Sequence, residues 1–250
     1  MSTLSPSVSE DHGGEHICLP FETESEKRDA VVGFIHEGLS RGARCIYTGT
    51  AEEFEDLKAQ LEMLGVCSRR AVQRDALSFR TQEDAYLSAG KFDPPELLKR
   101  THALIDESLA NGFTGVRRTG ELGNAPDDEI WRKIGWYEAR VNEHFARRPF
   151  WALCRYSRSA VSSEHVNDLL RSHPFAIVRG EKCENPFYER PELALSDDSE
   201  TRLNWRLRQL LEQNRTKRYL EGKTAAAVAA ATELAVELSA LRAGEPRQLK

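Results

Sequence analysis

The sequence predicts an α/β protein with three layers, in which helices cover both faces of a mostly parallel sheet, followed by a long C-terminal α-helix. Along residues 15–190, short apolar segments alternate with helical periods, as in proteins built from β-loop-α-β units. The segment 150–156 is almost continuously apolar, which is typical of a strand buried on both faces. Residues 199–243 contain no proline and are rich in alanine, leucine and arginine, which favours one helix.

The first half of the chain predicts two strand-helix pairs and a further strand. Residues 16–21 are expected to form a buried strand, 27–40 an amphipathic helix and 44–50 the next strand. Residues 51–65 place apolar side chains at helical spacing and end on glycine, which suits a helix C-terminus. Residues 72–77 are expected to form a short edge strand.

The second half continues the alternation. Asp93 is followed by two prolines, so the sequence predicts an N-cap and first turn of a helix that continues to about residue 111. The remaining elements are predicted, in order, as a strand at 115–118, a helix that starts at 124–128 and ends before Arg147, a strand at 150–156, a helix at 163–172 and a strand at 175–178.

The long helix carries a heptad-like pattern. Apolar or small residues recur in steps of four and three, which predicts a coiled coil and a homodimer; they are Leu220, Thr224, Ala227, Ala231, Leu234, Leu238 and Leu241. A second series, which includes Leu203, Leu207 and Leu210, is offset, so the register changes near 214–217. At 1.5 Å per residue the helix would extend roughly 65 Å. The alternative is a single helix that packs across its own domain.

The turn after the first strand argues against nucleotide hydrolysis. A P-loop places glycines and a lysine here so that backbone N–H groups and a positive charge surround the phosphates. Residues 21–26 contain no glycine and three glutamates. The Gly222-Lys223-Thr224 tripeptide lies inside the long helix, without the strand and loop that a P-loop needs. The sequence therefore predicts that the protein is not an enzyme, and no catalytic constellation is recognisable.

Composition sets further limits. The 250 residues are 30% charged with a net charge of -5, and acidic and basic residues are interspersed, so no nucleic-acid-binding face is expected. No apolar run is long enough to cross a bilayer and no secretory signal is recognisable, so we expect a cytoplasmic protein without membrane contact. Five scattered cysteines predict neither disulfides nor a zinc ribbon. His12 and His16 have ligand spacing but enclose two glycines, so no metal and no cofactor are predicted.

These observations predict five segments. They are a disordered tail at 1–14, a folded domain at 15–190, a linker at 191–198, the helix at 199–243 and a tail at 244–250.

A series of short motifs, in order, resembles the MEDS (methanogen/methylotroph, DcmR sensory) domain family over about residues 15–190. The motifs are His16-Ile17-Cys18, Glu37-Gly38-Leu39, Cys45-Ile46-Tyr47, Tyr86-Leu87, Gly90-Lys91-Phe92-Asp93, Gly112-Phe113, Gly115-Val116-Arg117, Thr119-Gly120-Glu121, Tyr137-Glu138 with Asn142, Ala152-Leu153-Cys154-Arg155-Tyr156 and His173-Pro174-Phe175-Ala176. The resemblance implies a divergent RecA/KaiC-like fold without a P-loop. It also implies a sensory role in signal transduction and transcription regulation, with a small hydrocarbon-derived organic molecule as ligand.

Output is expected to pass to a partner protein. Family members carry helix-turn-helix or histidine-kinase modules, and neither is recognisable in this sequence. The expected output is therefore the C-terminal helix or a separate signalling partner, such as a kinase or transcription factor.

Ligands of open parallel sheets bind at the carboxyl ends of the strands, and polar residues follow four predicted strands here. The predicted ligand-binding residues at these ends are Glu22, Thr23, Thr48, Arg118, Thr119, Glu121, Tyr156 and Arg158. Glu138 and Asn142 project from one helix face, and with Tyr137 they belong to the family pattern. Cys154, on the fourth strand, completes the predicted set.

Each candidate has a structural alternative. Glu22 serves equally well as a helix cap, Glu121 as the buried partner of Arg118, and Cys154 as a small core residue. Trp131 and Trp136 suit a pocket wall or ordinary helix-on-sheet packing.

Two other functions remain open at this point. One is a nucleotide- or cofactor-dependent enzyme that uses Glu121 and Glu138 with Arg118 or Arg158. The other is a ligand-free adaptor that docks proteins.

Overall fold

A computed structural model describes residues 13–88, 90–122, 127–196 and 198–244 of the chain. Residues 1–12 and 245–250 of the predicted tails lie outside this range, as does the predicted helix start at 124–126. The chain divides into two compact units, residues 1–195 and residues 196–250.

The first unit is built on a seven-stranded sheet. The strands of the unit are β1 (His16–Phe21), β2 (Arg44–Thr48), β3 (Leu77–Arg80), β4 (Leu87–Ser88), β5 (Lys91–Phe92), β6 (Val116–Glu121), β7 (Phe150–Ser157), β8 (Phe175–Val178) and β9 (Glu181–Glu184). The main sheet has the order β3-β2-β6-β7-β1-β8-β9, while β4 and β5 form a separate antiparallel hairpin. All neighbours in the main sheet are parallel except β8 and β9. The predicted mostly parallel sheet is therefore confirmed.

Helices cover both faces of this sheet. They are α1 (Glu24–Ser40), α2 (Ala51–Met63), α3 (Ser68–Gln73), α4 (Gln82–Tyr86), α5 (Pro94–Ala110), α6 (Asp128–Phe145), α7 (Ser163–Ser172) and α8 (Pro191–Ala194). One apolar cluster packs α1 and α2 against the sheet, and two others pack α5, α6 and α7 against the opposite face. The predicted three-layer α/β class is confirmed.

Local sequence explains where the principal helices begin. Thr23 and Thr50 each form a capping box, in which the threonine oxygen accepts from the third helical N–H and a glutamate side chain accepts from the threonine N–H. Asp93 caps α5 ahead of Pro94, as predicted, and Asp127 caps α6. These caps satisfy backbone donors that the helix itself leaves unpaired.

The predicted edge strand at 72–77 is wrong. Residues 68–73 form α3, and the edge strand β3 begins only at Leu77. Asp75, whose φ is 55°, turns the chain between them, and its carboxylate pairs with Arg44 of β2. The left-handed backbone at Asp75 is incompatible with a continuous strand through this position.

Several elements differ from the prediction in extent or were not predicted. Helix α1 begins at Glu24 rather than residue 27, and β6 continues to Glu121 rather than ending at residue 118. Strand β9 and helix α8 were not predicted. Helix α8 lies within the stretch predicted as a linker, with Pro191 and Leu193 buried.

The second unit contains α9 (Ser199–Gly244). Its 46 residues correspond to roughly 69 Å at 1.5 Å per residue. Apolar side chains of the predicted seam are exposed, including Leu203, Leu220 and Leu234, whereas the side chain of Leu241 lies outside the described part. The coiled coil stays a prediction. Within the described residues, no helix combines the length and hydropathy needed to cross a membrane.

Candidate functional site

Four chemically active side chains meet between the sheet and the α6–α7 layer, and we call them the His-Glu-Cys cluster: His16, Glu138, Cys154 and His173. One ligand-type atom from each lies within 4.8 Å of those of the others. His16 opens β1, Cys154 lies on the adjacent strand β7, Glu138 is on α6, and His173 follows α7. Four separate elements therefore supply the cluster, and three of its side chains are buried.

Glu138 is the centre of the cluster. Its side chain is fully buried, with Oε2 2.9 Å from His16 Nε2 and Oε1 accepting a 2.7 Å hydrogen bond from the Tyr156 hydroxyl. Burial alone would raise the pKa of Glu138, but the hydrogen bond and positive charge of His16, with smaller effects of His173 and Tyr156, hold it below its ordinary value. A buried carboxylate is thus kept ionised by its neighbours.

Asn142 fixes the orientation of His16. It lies one turn beyond Glu138 on α6, and its amide nitrogen donates to the carbonyls of Ser172 and Glu138. The Asn142 Oδ1 atom is therefore left facing His16 Nδ1 at 3.2 Å, where it accepts a hydrogen bond. This leaves His16 Nε2 directed at Glu138.

His173 is held by its other ring nitrogen. Its Nδ1 lies 2.7 Å from the carbonyl oxygen of Leu169, which only accepts, so Nδ1 carries the proton. Burial, with a contribution from His16, lowers the pKa of His173 to about 3, so the ring is neutral. Its Nε2 is buried without a hydrogen-bond partner and lies 3.7 Å from Glu138 Oε2.

Cys154 completes the cluster from β7. Its Sγ lies 3.4 Å from His16 Nε2 and 3.7 Å from Glu138 Oε2. Burial, and then the charge of Glu138, raise the pKa of Cys154 well above its ordinary value, so the free side chain is a thiol that donates toward Glu138. Unlike the three other members, Cys154 is partly exposed.

A small cavity of about 20 Å³ adjoins the cluster. Its polar lining includes five of the predicted ligand-binding residues, namely Arg118, Tyr137, Glu138, Cys154 and Tyr156. Its apolar lining includes Leu122, Val141, Phe150, Ala152 and Leu153. The Arg118 guanidinium donates to the Ala85 carbonyl and lies 4.9 Å from the centre of the Tyr86 ring. The sequence therefore predicted part of this lining, with Arg118 and Tyr156 expected from the strand ends and Tyr137 and Glu138 from the family pattern.

The other predicted residues lie elsewhere. Glu22 pairs with Arg158 at the exposed ends of β1 and β7, and Thr23 rather than Glu22 caps α1. The Thr119 hydroxyl donates to the Leu153 carbonyl, and Thr48 is fully buried.

Arg118 and Glu121 do not form the alternative buried pair. Arg118 contacts Ala85 and Tyr86, while the positive charges that act on half-buried Glu121 come from Arg155 and Lys27. Side chains three apart on a strand face opposite sides of the sheet. Burial raises the pKa of Glu121, which the two cations only partly offset.

A second polar group lies on the α1–α2 face and was not predicted. Lys27 donates to Glu53 at 2.8 Å, and the buried guanidinium of Arg155 donates to the Tyr47 hydroxyl and the Thr48 carbonyl. These side chains, with Leu57, line a cavity of about 150 Å³. The sequence feature that could have revealed this polar group is a charged residue inside an otherwise apolar strand or helix, such as Arg155 in β7.

His16 and His173 belong to the candidate site but were not among the residues predicted from the sequence. Both stood within motifs that suggested the family, but His16 was considered as a ligand only together with His12, which lies outside the described residues. The two imidazole rings lie with their centroids 3.8 Å apart and their planes tilted by 37°, although 157 positions separate them in the chain. Trp131 and Trp136 do not line the cavity; they pack against the apolar clusters between the helices and the sheet, beside His165 and Arg140 respectively.

Comparison with known proteins places this site within one family. Residues 15–174 match the model of the MEDS family, the methanogen/methylotroph, DcmR sensory domain. The matched segment covers more than half of the chain and contains the whole His-Glu-Cys cluster. No curated protein matches the chain.

Proposed function

Because the chain belongs to the MEDS family, we propose that it is a sensory protein that binds a small organic ligand and regulates a partner protein. The family suggests the sensory role. The observation that supports ligand binding is the cavity beside the His-Glu-Cys cluster, because it combines hydrogen-bonding groups with an apolar wall.

The volume and lining of the cavity restrict the size and chemistry of the ligand. A volume of about 20 Å³ has room for roughly one water-sized group, so binding involves a ligand with few non-hydrogen atoms or a modest outward movement of the lining. Arg118 supplies N–H donors, and Tyr137 and Tyr156 supply hydroxyls. Ala152 and Val141 face the carbon skeleton. A one- to four-carbon molecule with one oxygen or halogen acceptor matches the chemistry of this lining, and all but the smallest would require the lining to move outward.

Output is proposed to pass through α9. Its exposed leucines, such as Leu207, Leu220 and Leu234, form the surface that a second copy of the helix or a kinase or transcription factor would cover. A ligand changes the pose or pairing of this helix only by the difference in its affinity for the two states.

We further propose that the protein is not an enzyme and that its fold is a RecA/KaiC-like scaffold without nucleotide binding. The N–H groups of Glu22 and Thr23 donate to the Glu26 carboxylate at 2.9 and 3.2 Å, and Glu26 N–H donates to Thr23 Oγ1. These are the backbone donors that would otherwise be available to a phosphate at the start of α1. The position of β1 inside a parallel sheet, directly before α1, supports the proposed relation to the RecA/KaiC fold.

Thermal unfolding with a ligand panel tests this function. The full chain is melted alone and with one- to four-carbon alcohols, amines, carboxylates and halides. A ligand at 100 times its Kd stabilises by about 2.7 kcal/mol, which corresponds to roughly 5–10 °C for a protein of this size. Ala152→Val, which fills the cavity, should abolish the increase.

Ala103→Val, at an exposed position on α5, is the matched control and should keep the ligand response. A response that survives in Ala152→Val places binding outside this cavity. No stabilisation by any member of the panel, in a chain that unfolds cooperatively, would count against ligand sensing.

A further inference from the structure

The His-Glu-Cys cluster has the dimensions of a metal coordination sphere. Bonds of about 2.0–2.3 Å from a tetrahedral zinc ion place its ligand atoms roughly 3.3–3.7 Å from one another. In the cluster, Glu138 Oε2 lies 2.9 Å from His16 Nε2 and 3.7 Å from His173 Nε2. The Cys154 sulfur lies 3.4 Å from His16 Nε2 and 3.7 Å from Glu138 Oε2. These four distances are close to the zinc range and the remaining two are within 4.8 Å, so a single ion between the four atoms would need only small shifts of the side chains to reach them all.

The Nε2 atom of His173, which has no hydrogen-bond partner, indicates that a cation belongs between the four atoms. Because Nδ1 donates to the Leu169 carbonyl, Nε2 of the neutral ring presents a lone pair. This atom is fully buried, has no hydrogen-bond partner, and faces the electron pairs of Glu138 Oε2 at 3.7 Å. Two buried acceptors that face each other repel, whereas a cation between them binds both.

The surrounding hydrogen bonds orient the ligands as in known metal centres. Metal-binding histidines usually donate their second ring N–H to a carbonyl or carboxylate, which fixes the ring and its tautomer. His173 donates in this way to Leu169, and His16 donates to Asn142 Oδ1. Tyr156 donates to Glu138 Oε1 and leaves Oε2 for the ion.

We propose that His16 Nε2, Glu138 Oε2, Cys154 Sγ and His173 Nε2 bind one divalent first-row transition metal ion of the zinc type. A mixed nitrogen, sulfur and carboxylate set suits zinc and its neighbours rather than calcium or magnesium. Binding converts the Cys154 thiol to a thiolate and displaces the proton that His16 Nε2 donates to Glu138, so that two protons are released and two negative ligands balance the two positive charges. Partly exposed Cys154 and the adjoining cavity give the ion access.

The metal site does not depend on the sensory role. An ion bound here would stabilise the fold even if no organic ligand bound. The panel of organic molecules tests the cavity through the Ala152→Val variant, and Ala152 supplies no atom to the proposed metal ion. Failure of the sensory proposal therefore leaves the metal proposal unaffected, and the reverse also holds.

Metal content and Co²⁺ spectroscopy test the site. The 250-residue chain without an affinity tag is purified under reducing conditions, and its metal content is measured by mass spectrometry. The metal-free protein is then titrated with Co²⁺ and Zn²⁺. We expect one ion per chain, a thiolate-to-Co²⁺ charge-transfer band and a Tm that rises with metal.

Variants of the ligands distinguish this site from others. Cys154→Ser should abolish the charge-transfer band, and both Cys154→Ser and His173→Gln should weaken binding at least ~100-fold, since even outer-shell changes cost roughly 10–100-fold. Asn142→Ala should weaken binding about 10-fold with one ion per chain retained. Far-UV circular dichroism checks that each variant folds.

Two control variants test whether other cysteine and histidine side chains of the chain bind the metal ion. Cys183→Ser replaces a partly exposed cysteine, and His102→Gln removes one member of the surface His102–His144 pair; both should bind Co²⁺ as the unmodified chain does. The proposal is overturned if the reduced chain binds neither Co²⁺ nor Zn²⁺, or if bound Co²⁺ shows no thiolate band. It is also overturned if folded Cys154→Ser and His173→Gln bind with unchanged affinity.

Discussion

The ion pair between Lys27 and Glu53 makes a specific prediction about stability and pH. Lys27 Nζ lies 2.8 Å from Glu53 Oε1 and joins α1 to α2, with the lysine side chain only 11% exposed. Burial raises the pKa of Glu53, but the hydrogen bond from Lys27, that from the Thr50 N–H and the nearby positive charges outweigh it and lower the pKa to about 2.

The magnitude follows from that pKa. The difference from the ordinary value of 4.5 corresponds to at most roughly 3.4 kcal/mol of stabilisation of the ionised form. Because 31% of the Glu53 side chain is exposed, solvent screening reduces the expected contribution to roughly 1–2 kcal/mol. The folded-state pKa is below the unfolded one, so this stability is present above pH 4.5 and is lost as the pH falls from 4.5 towards 2.

Urea unfolding of Glu53→Gln against the unmodified chain measures this contribution. We expect Glu53→Gln to lower the free energy of unfolding by about 1–2 kcal/mol at pH 7, and the difference to shrink at pH 3. Glu55→Gln, at a carboxylate of the same helix that is 71% exposed, is the control and should cost less than about 0.5 kcal/mol. An equal effect of the two variants at pH 7, or a Glu53→Gln effect that does not change with pH, would refute the reasoning.

Three further predictions concern the helix cap, the core and the long helix. Thr23→Ala removes the side-chain acceptor of the α1 capping box and should cost about 1 kcal/mol in urea unfolding, whereas no loss would show that the box does not stabilise α1. Leu153→Ala opens a cavity beside the fully buried centre of β7 and should cost roughly 3–5 kcal/mol, and a cost below about 1 kcal/mol would contradict the packing. A double variant, Leu220→Lys with Leu234→Lys, should convert the proposed dimer to a monomer in sedimentation velocity while the helix content is retained; an unchanged oligomeric state would exclude this seam.

The layer structure was predictable because it depends on local apolar patterns. Strands such as β1 and β7, and helices such as α5, bury side chains whose periodicity is visible within one element. The edge strand β3 was misplaced because an apolar stretch at 71–72 fits one turn of helix as well as a strand. The left-handed turn at Asp75, which decides between them, is not recognisable from periodicity.

The site was predictable only in part because its assembly depends on register. Residues at the carboxyl ends of the strands were expected to converge, but whether a side chain faces α6 or α1 is decided by odd or even position along the strand. Arg118 and Tyr156 therefore line the cavity, whereas Glu121 and Arg155 lie on the opposite face. His16 and His173 meet only after β1 and β8 pair, which no local pattern shows.

The Glu26 carboxylate has a consequence for any anion that approaches the start of α1. It is a tethered competitor, attached three and four residues from the two N–H groups that it occupies. Short tethers give effective concentrations in the millimolar range or above. A free phosphate would have to outcompete this internal anion before it gained a single hydrogen bond from these N–H groups.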